Sequence, residues 1–381
     1  MKRAASGVER VLSYLLDQET VVSRPMVASA CGLSKPTVFT AFERLVQLGL
    51  VHDTGQLSGR PGRSATLYEV SPNAGVLAAV DIGGSNIRVA ITDVRGRILQ
   101  ERREATASGG GPRIVEQAAG LVTSALTSTR GRAESLATVA VSVPGVVDPD
   151  GSTVHYAINI DQFAPFDFRE ALSDTLRAPV VLENNVNLAA LGERWRGAAQ
   201  DLSTFVVVAV GAGIGAGIVH EGELLRGSHG SAGEVAFLPP YGGLIRNSTM
   251  RHDAAGGLRL LEEARSQPGW HGPPPTSVEE LFRRAAAGDK PATDLVEQES
   301  AHIASVIAAI CAVVDPERVI LTGGIGANSD LIDRADKLVA GMAAFPPPVI
   351  GSDLGARASL MGAVWLGTRV VRDELLAEVR T

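Results

Sequence analysis

One unit of sequence occurs twice. "VLAAVDIGGSNIRVAITDVRGRIL" (residues 76–99) reads as an apolar strand, a Gly-Gly-Ser turn, a second strand and a further Gly-containing turn. "TFVVVAVGAGIGAGIVHEGELLRG" (204–227) repeats that order. Glycine in a hairpin turn is ordinarily backbone geometry and nothing more. A third Gly pair, in "VILTGGIGAN" (319–328), follows another apolar strand and opens towards a helix. Three such loops, with Asp81, Gly83, Gly84, Ser85, Gly211, Gly213, Gly323 and Gly324 in them, put backbone N–H groups where a phosphate approaches. Long apolar-faced helices such as "LVEQESAHIASVIAAICAVV" (295–314) would cover the sheets. The repeat predicts two α/β lobes around a nucleotide-sized cleft.

The first seventy residues follow another pattern. "GVERVLSYLLDQ" spaces Val8, Val11, Leu12, Leu15 and Leu16 as one helix face. "SRPMVASACGL" offers Ser23 as cap, Pro25 in the first turn and Gly32 at the stop. "SKPTVFTAFERLVQLGL" opens on Ser34 as cap, and its spacing predicts Val38, Phe42, Leu45 and Val46 on the buried side. Two strands around "SGRPGRS" then make a wing. Three short helices with a tight Gly turn, followed by that hairpin, predict a winged helix-turn-helix over residues 1–70. Ser34, Lys35, Thr37, Phe39 and Thr40 occupy the end of the third helix that meets base edges, with Arg44 placed for phosphate. Arg60 and Arg63 flank a stiff Gly-Pro element suited to a narrow minor groove. "SPNAG" (71–75) reads as a linker, and 76–381 as the body.

Charge is divided unevenly. Residues 1–70 hold eight Lys/Arg against six Asp/Glu, so of the net −7 the remainder carries −9. A basic head on an acidic body favours local contact with a polyanion over general stickiness. Two cysteines, Cys31 and Cys311, give no disulfide framework and suit a reducing compartment. The opening residues lack the apolar core and cleavage site of a signal peptide, and 205–219 are too short and glycine-rich to span a bilayer. A cytoplasmic protein with no membrane partner is expected.

The motifs "DIGGSN", "VPGVVDPDG", "ENNVNLAALGE", "VGAGIGAGIV…GELLRG", "GSAGEV" and "LTGGIG" resemble those of the ROK family of repressors, open reading frames and sugar kinases. The resemblance covers nearly the whole chain, including the head of the family's regulator branch. It implies an actin-like (ribonuclease H-like) ATPase fold that binds sugar between its lobes. It also implies that Asn159, Asn184, Asn185 and Glu234 are sugar contacts, and that family kinases carry an Asp where Asn185 stands.

Here the sequence departs from the pattern. An amide accepts and donates hydrogen bonds but cannot take a proton from a sugar hydroxyl. Ala212 replaces a phosphate-touching threonine, and Phe237 replaces a histidine that serves zinc and sugar. "YGGLIRNSTM" occupies the zinc-cysteine region, so no metal or other cofactor is expected; a site from His229 or His252 is the alternative. Losing base, hydroxyl and zinc together predicts abandoned phosphoryl transfer. The expectation is a sugar- or metabolite-responsive regulator, a repressor of carbohydrate genes. It would bind an inverted-repeat operator as a homodimer or tetramer. Its rivals are an active sugar kinase with a DNA-binding head, using Asp161 or Glu183 as base, and a ligand-independent DNA-binding scaffold.

Overall fold

A computed structural model describes residues 5–56, 65–129, 136–151, 153–155, 167–238 and 256–380. Arg60, Arg63, Asn159, Asp161 and His252 lie outside these residues. The chain divides into two compact units, one of Met1–Val141, Phe168–Val181 and Val364–Thr381, the other of Ser142–Asp167 and Leu182–Ala363.

The first unit begins with helix α1 (Gly7–Leu16), whose Ser6 and Glu9 cap each other reciprocally. Strand β1 (Val22–Ser23), helix α2 (Arg24–Cys31) and helix α3 (Lys35–Gln47) follow. Gly32 ends α2 at φ 60, a left-handed conformation in which a Cβ is strained, and so allows the tight turn into α3. Strands β2 (Val51–Gln56) and β3 (Thr66–Val70) form an antiparallel hairpin with a bulge at Asp53/Gly55, and β1 pairs along β3. Three helices and a β-hairpin thus make up this N-terminal part. Leu12, Leu15, Val27, Val38, Ala41, Phe42 and Leu45 form its core. Val46 departs from expectation: it is 44% exposed, and Ala41 takes the buried place. Residues 38, 41, 42 and 45 make a complete helical stripe, and 46 falls past its edge.

The rest of this unit carries β4 (Val76–Ile82), β5 (Asn86–Asp93), β6 (Ile98–Ala105), α4 (Gly110–Thr127), the first six residues of β7 (Leu136–Val143), α5 (Phe168–Leu176) and the first two of β10 (Val180–Asn184). The sheet order is β10-β7-β4-β5-β6, with β4, β5 and β6 antiparallel. The short strands β8 (Val146–Val147) and β9 (Val154–His155) pair in the second unit. The 71–75 segment is a hydrogen-bonded turn: Ser71 N–H donates to Leu50 and Ala74 N–H to Ser71. Head and body share one core there, in which Leu77 and Val94 join the head's side chains.

The second unit is built on β11 (Phe205–Val210), β12 (Ile214–His220), β13 (Glu223–Leu224), β14 (Val319–Thr322) and β15 (Val349–Gly351), ordered β13-β12-β11-β14-β15. Its helices are α6 (Asn185–Arg196), α7 (Gly257–Ser266), α8 (Val278–Ala286), α9 (Lys290–Val314), the single turn α10 (Gly323–Gly326) and α11 (Ser329–Met342). Alternate strand residues face opposite sides. Val206, Val208, Val319 and Leu321 pack with Ile303 and Ile307 of α9 on one side. Phe205, Val207, Val219 and Ile320 pack with Ala189 and Ala190 of α6 on the other. Helix α9 is long and apolar enough to cross a membrane, yet half of its most apolar window is buried in this core.

Helix α12 (Ala358–Glu378) starts in the second unit and ends in the first. Its early residues meet α6, where Ser359 Oγ donates to the Asn185 carbonyl at 2.9 Å. Its late residues Val371 and Leu375, with Val379 beyond its end, join the core of the head. Arg372 donates to Ser13 Oγ at 2.7 Å and pairs with Asp17, and Arg380 pairs with Glu9.

Candidate functional site

The α3 face of the head is polar and open. Ser34, Lys35, Thr37, Thr40 and Arg44 are exposed, and Phe39 is 47% exposed. Part of this face also caps the helix: Ser34 Oγ accepts from Thr37 N–H at 3.3 Å and lies 2.7 Å from Thr37 Oγ1. Lys35, Phe39, Thr40 and Arg44 therefore offer the side chains that no cap engages.

In the second unit, the described candidates Asn184, Asn185 and Glu234 lie on segments that pack against β12. Asn184 is the N-cap of α6: its Oδ1 accepts from Val186 and Asn187 N–H at 2.8 and 3.0 Å, and its Nδ2 donates to Gly145 at 2.8 Å. Those bonds hold the start of α6, use both acceptor positions and leave one amide N–H. Asn185 stands in the first turn, half-buried, with no hydrogen bond to its side chain among the described residues. The turn it sits on rests against β12, where glycines are required: a Cβ on Gly217 would come within 2.4 Å of the Val186 carbonyl.

Glu234 reaches the same strand from another direction. Ala216 N–H donates to Gly233 at 2.8 Å, and Gly233 holds φ +92 so closely that a Cβ would lie 1.9 Å from the Ala216 oxygen. The carboxylate of Glu234 accepts no hydrogen bond among the described residues, and burial raises its pKa. A half-buried carboxylate without a donor and an unengaged amide are groups that a polyhydroxyl ligand satisfies. Phe237, in the 3-10 turn Val235–Phe237 that follows, is 44% exposed and has no metal-binding atom. His229 is exposed, and no three His, Cys, Asp or Glu side chains cluster among the described residues. The described residues do not fit a zinc site.

Sequence reasoning missed one network here. Glu183, buried beside Asn184, accepts from Asn184 N–H at 2.9 Å and Asn187 Nδ2 at 3.0 Å through one oxygen, and from Arg226 Nε at 2.7 Å through the other. Arg226 lies 43 positions away, so no local pattern announces the pair.

The glycine loops have their donors and acceptors partly engaged. In the first unit Asp81 is buried and paired with Arg88 at 3.2 Å, while Gly83 N–H donates to Asn86 within the turn; Gly84 and Ser85 are exposed. In the second, Gly211 N–H donates to Gly213 at 2.8 Å, and the loop carbonyls of Gly211 and Ala212 accept from Gly257 and Leu258 at the start of α7. Those α7 N–H groups are thereby spent on the loop. Gly323 holds φ +90 against the Val210 carbonyl, where a Cβ would approach to 2.5 Å, and Gly324 is exposed.

The family model of the ROK family matches residues 77–243 and 255–370. The DNA-binding transcriptional dual regulator NagC of Escherichia coli K12 is 24% identical over 96% of this chain and 93% of its own. The xylose repressor of Caldicellulosiruptor bescii is 26% identical over 59% of this chain, a match that spans only 56% of that repressor. A glucokinase of Halalkalibacterium halodurans is 25% identical over 75% of this chain and 93% of its own. Among solved structures, the ROK hexokinase of Thermus thermophilus is 30% identical, with TM-score 0.64 over 78% of this chain and 99% of its own. A ROK transcriptional regulator described as a homologue of the E. coli MLC protein shares the fold at TM-score 0.75 over 97% of both chains, at 20% identity. NagC and the MLC homologue match nearly the whole chain, the glucokinase and hexokinase about three quarters of it, and the family model runs through most of its length: this chain belongs to the ROK family.

Proposed function

We propose that this protein is a DNA-binding transcriptional repressor of carbohydrate genes, controlled by a sugar or related metabolite and without kinase activity. The observation that carries this reading is the open face of α3, where Lys35, Phe39, Thr40 and Arg44 project beside a β-hairpin. A relative named as an N-acetylglucosamine repressor matches 96% of this chain and 93% of its own length, which supports the reading. A homodimer would offer two such faces to an inverted repeat. Full-length protein titrated against its selected operator and a scrambled duplex tests it: equal affinity for both would reject the reading.

Loss of catalysis is supported by the groups around Asn185. Its amide cannot act as a base, and the neighbouring Glu183 already accepts from Asn184, Asn187 and Arg226. Kinase relatives of similar identity favour the rival reading of a DNA-binding kinase. ATP consumption that depends on one particular sugar would establish that rival. The effector is proposed to engage Asn185 and Glu234, together with Asn184 and Asn159, the sugar contacts that the family resemblance implies.

A further inference from the structure

Arg24 occupies an unusual position in the head. It is the first residue of α2, and its guanidinium carbon lies 4.5 Å from the ring centre of Phe39, 5.0 Å from that of Tyr68 and 5.7 Å from that of Phe42. Phe42 and Tyr68 are buried and pack together with centroids 4.6 Å apart. Phe39 is the outermost ring, 47% exposed, on the α3 face between Lys35 and Thr40. Among the described residues the buried Nε of Arg24 has no hydrogen-bond partner. The aromatic faces are what the described surroundings offer this cation, and such faces attract guanidinium.

An exposed Phe on a reading helix is otherwise a rotor that loses freedom on binding. Arg24 over one face of the ring, backed by the buried Phe42–Tyr68 pair, limits that freedom before DNA is met. An apolar ring fixed in a major-groove face has a specific counterpart, the 5-methyl group of thymine, which alone among base edges offers an apolar contact there. We propose that Arg24 is a positioning residue which holds Phe39 as the reader of a thymine methyl group. This rests on the DNA-binding reading of α3 and specifies what part of the base it recognises.

The test uses the full-length protein and the duplex that it selects from a random pool. Each thymine of a half-site is replaced in turn by deoxyuridine, which removes only the methyl group. One replacement should weaken wild-type binding by roughly fourfold. R24M keeps an apolar stem against the rings but removes the cation; it and Phe39→Leu should weaken binding to the thymine duplex and no longer distinguish uracil from thymine at that position. R24K, which keeps a cation, should retain part of the discrimination. The salt slope of R24M should equal that of wild type, since no phosphate contact is lost; a fall of about 1 would assign Arg24 to phosphate and overturn the proposal. Full thymine discrimination in R24M would overturn it too, whatever the variant's melting temperature. Wild type that selects a duplex but ignores every methyl defeats this proposal alone, whereas wild type that selects no sequence defeats the DNA-binding reading and this one with it.

Discussion

Gly362 of α12 and Leu188 of α6 cross so closely that a Cβ on the glycine would lie 1.8 Å from the leucine carbonyl oxygen. The crossing is reinforced at Gly192, where a Cβ would come within 2.4 Å of the Ala358 oxygen. Two backbones meeting on glycine tolerate no added methyl without displacement, because both neighbours are backbone atoms. Helix α6 carries Asn185 in its first turn, and α12 runs on to the core of the head. Gly362→Ala should therefore destabilise the protein by about 3 kcal/mol, as overpacking against backbone does. It should also reduce the change in DNA affinity caused by effector. Thermal unfolding together with DNA titrations in the presence and absence of sugar reads both; a variant with wild-type melting would contradict the contact.

The far end of α12 makes a different prediction. Leu375 is buried against head residues, and truncating a buried Leu leaves a cavity. Leu375→Ala should cost about 2–4 kcal/mol in unfolding free energy. Limited proteolysis should then cut the head before the body. Cleavage that begins in the body would mean that α12 does not hold the head.

Two separate calorimetric titrations check Glu234 and Asn185 as the proposed effector contacts. Removing a hydrogen-bonded charged group from a ligand costs about 1.5–3 kcal/mol, so Glu234→Gln should weaken sugar binding by tenfold or more. Asn185→Ala should cost about 1 kcal/mol. Wild-type affinity in both variants would move the effector elsewhere.

Glu299 gives a pH dependence. It lies buried on α9, accepting from Gly256 N–H at 2.6 Å, with Arg259 Nη1 3.7 Å from its other oxygen. Arg259 is shared with Glu263 and His302. Burial pushes the pKa of Glu299 from 4.5 up to about 7, against the lowering effects of Gly256 and Arg259. A carboxyl whose pKa is raised on folding holds its proton more tightly when folded. Its contribution is therefore full below pH 4.5 and is lost as pH rises through about 7. That loss is on the order of 3 kcal/mol, and Glu299→Gln should flatten it. Chemical denaturation at a series of pH values tests this. Parallel wild-type and variant curves would contradict the assignment.

The amide at Asn185 predicts that sugar-dependent ATP turnover is absent, since loss of a general base alone lowers rates by about 10²–10⁴. A coupled assay across hexoses, pentoses and amino sugars should stay at background. Turnover with one of them would restore the kinase reading and require another base.

Much of this architecture is legible in the sequence because local rules agree with the fold. The two hairpins, the third Gly pair and the cap at Ser34 are all short-range patterns. Val46 was not legible, because an apolar residue next to Leu45 at a helix end belongs to the stripe by composition and not by angle. Asn184 illustrates a second limit. Asn before a helix is a cap signal, and its hydrogen bonds to Val186 and Asn187 follow that rule, whereas the family motif draws attention to sugar. Glu183 with Arg226, and α12 with α1, are contacts between distant segments that no periodicity encodes.

Control of DNA binding by a sugar is decided by the affinity of the full-length protein for its selected operator, measured by fluorescence anisotropy over a range of salt, with and without a sugar whose binding has been verified calorimetrically. Sequence-dependent binding with a steep salt slope, weakened when the sugar is bound, is the expected result. Operator affinity unchanged under saturating sugar would contradict control by effector, and equal affinity for a scrambled duplex would contradict the regulator itself.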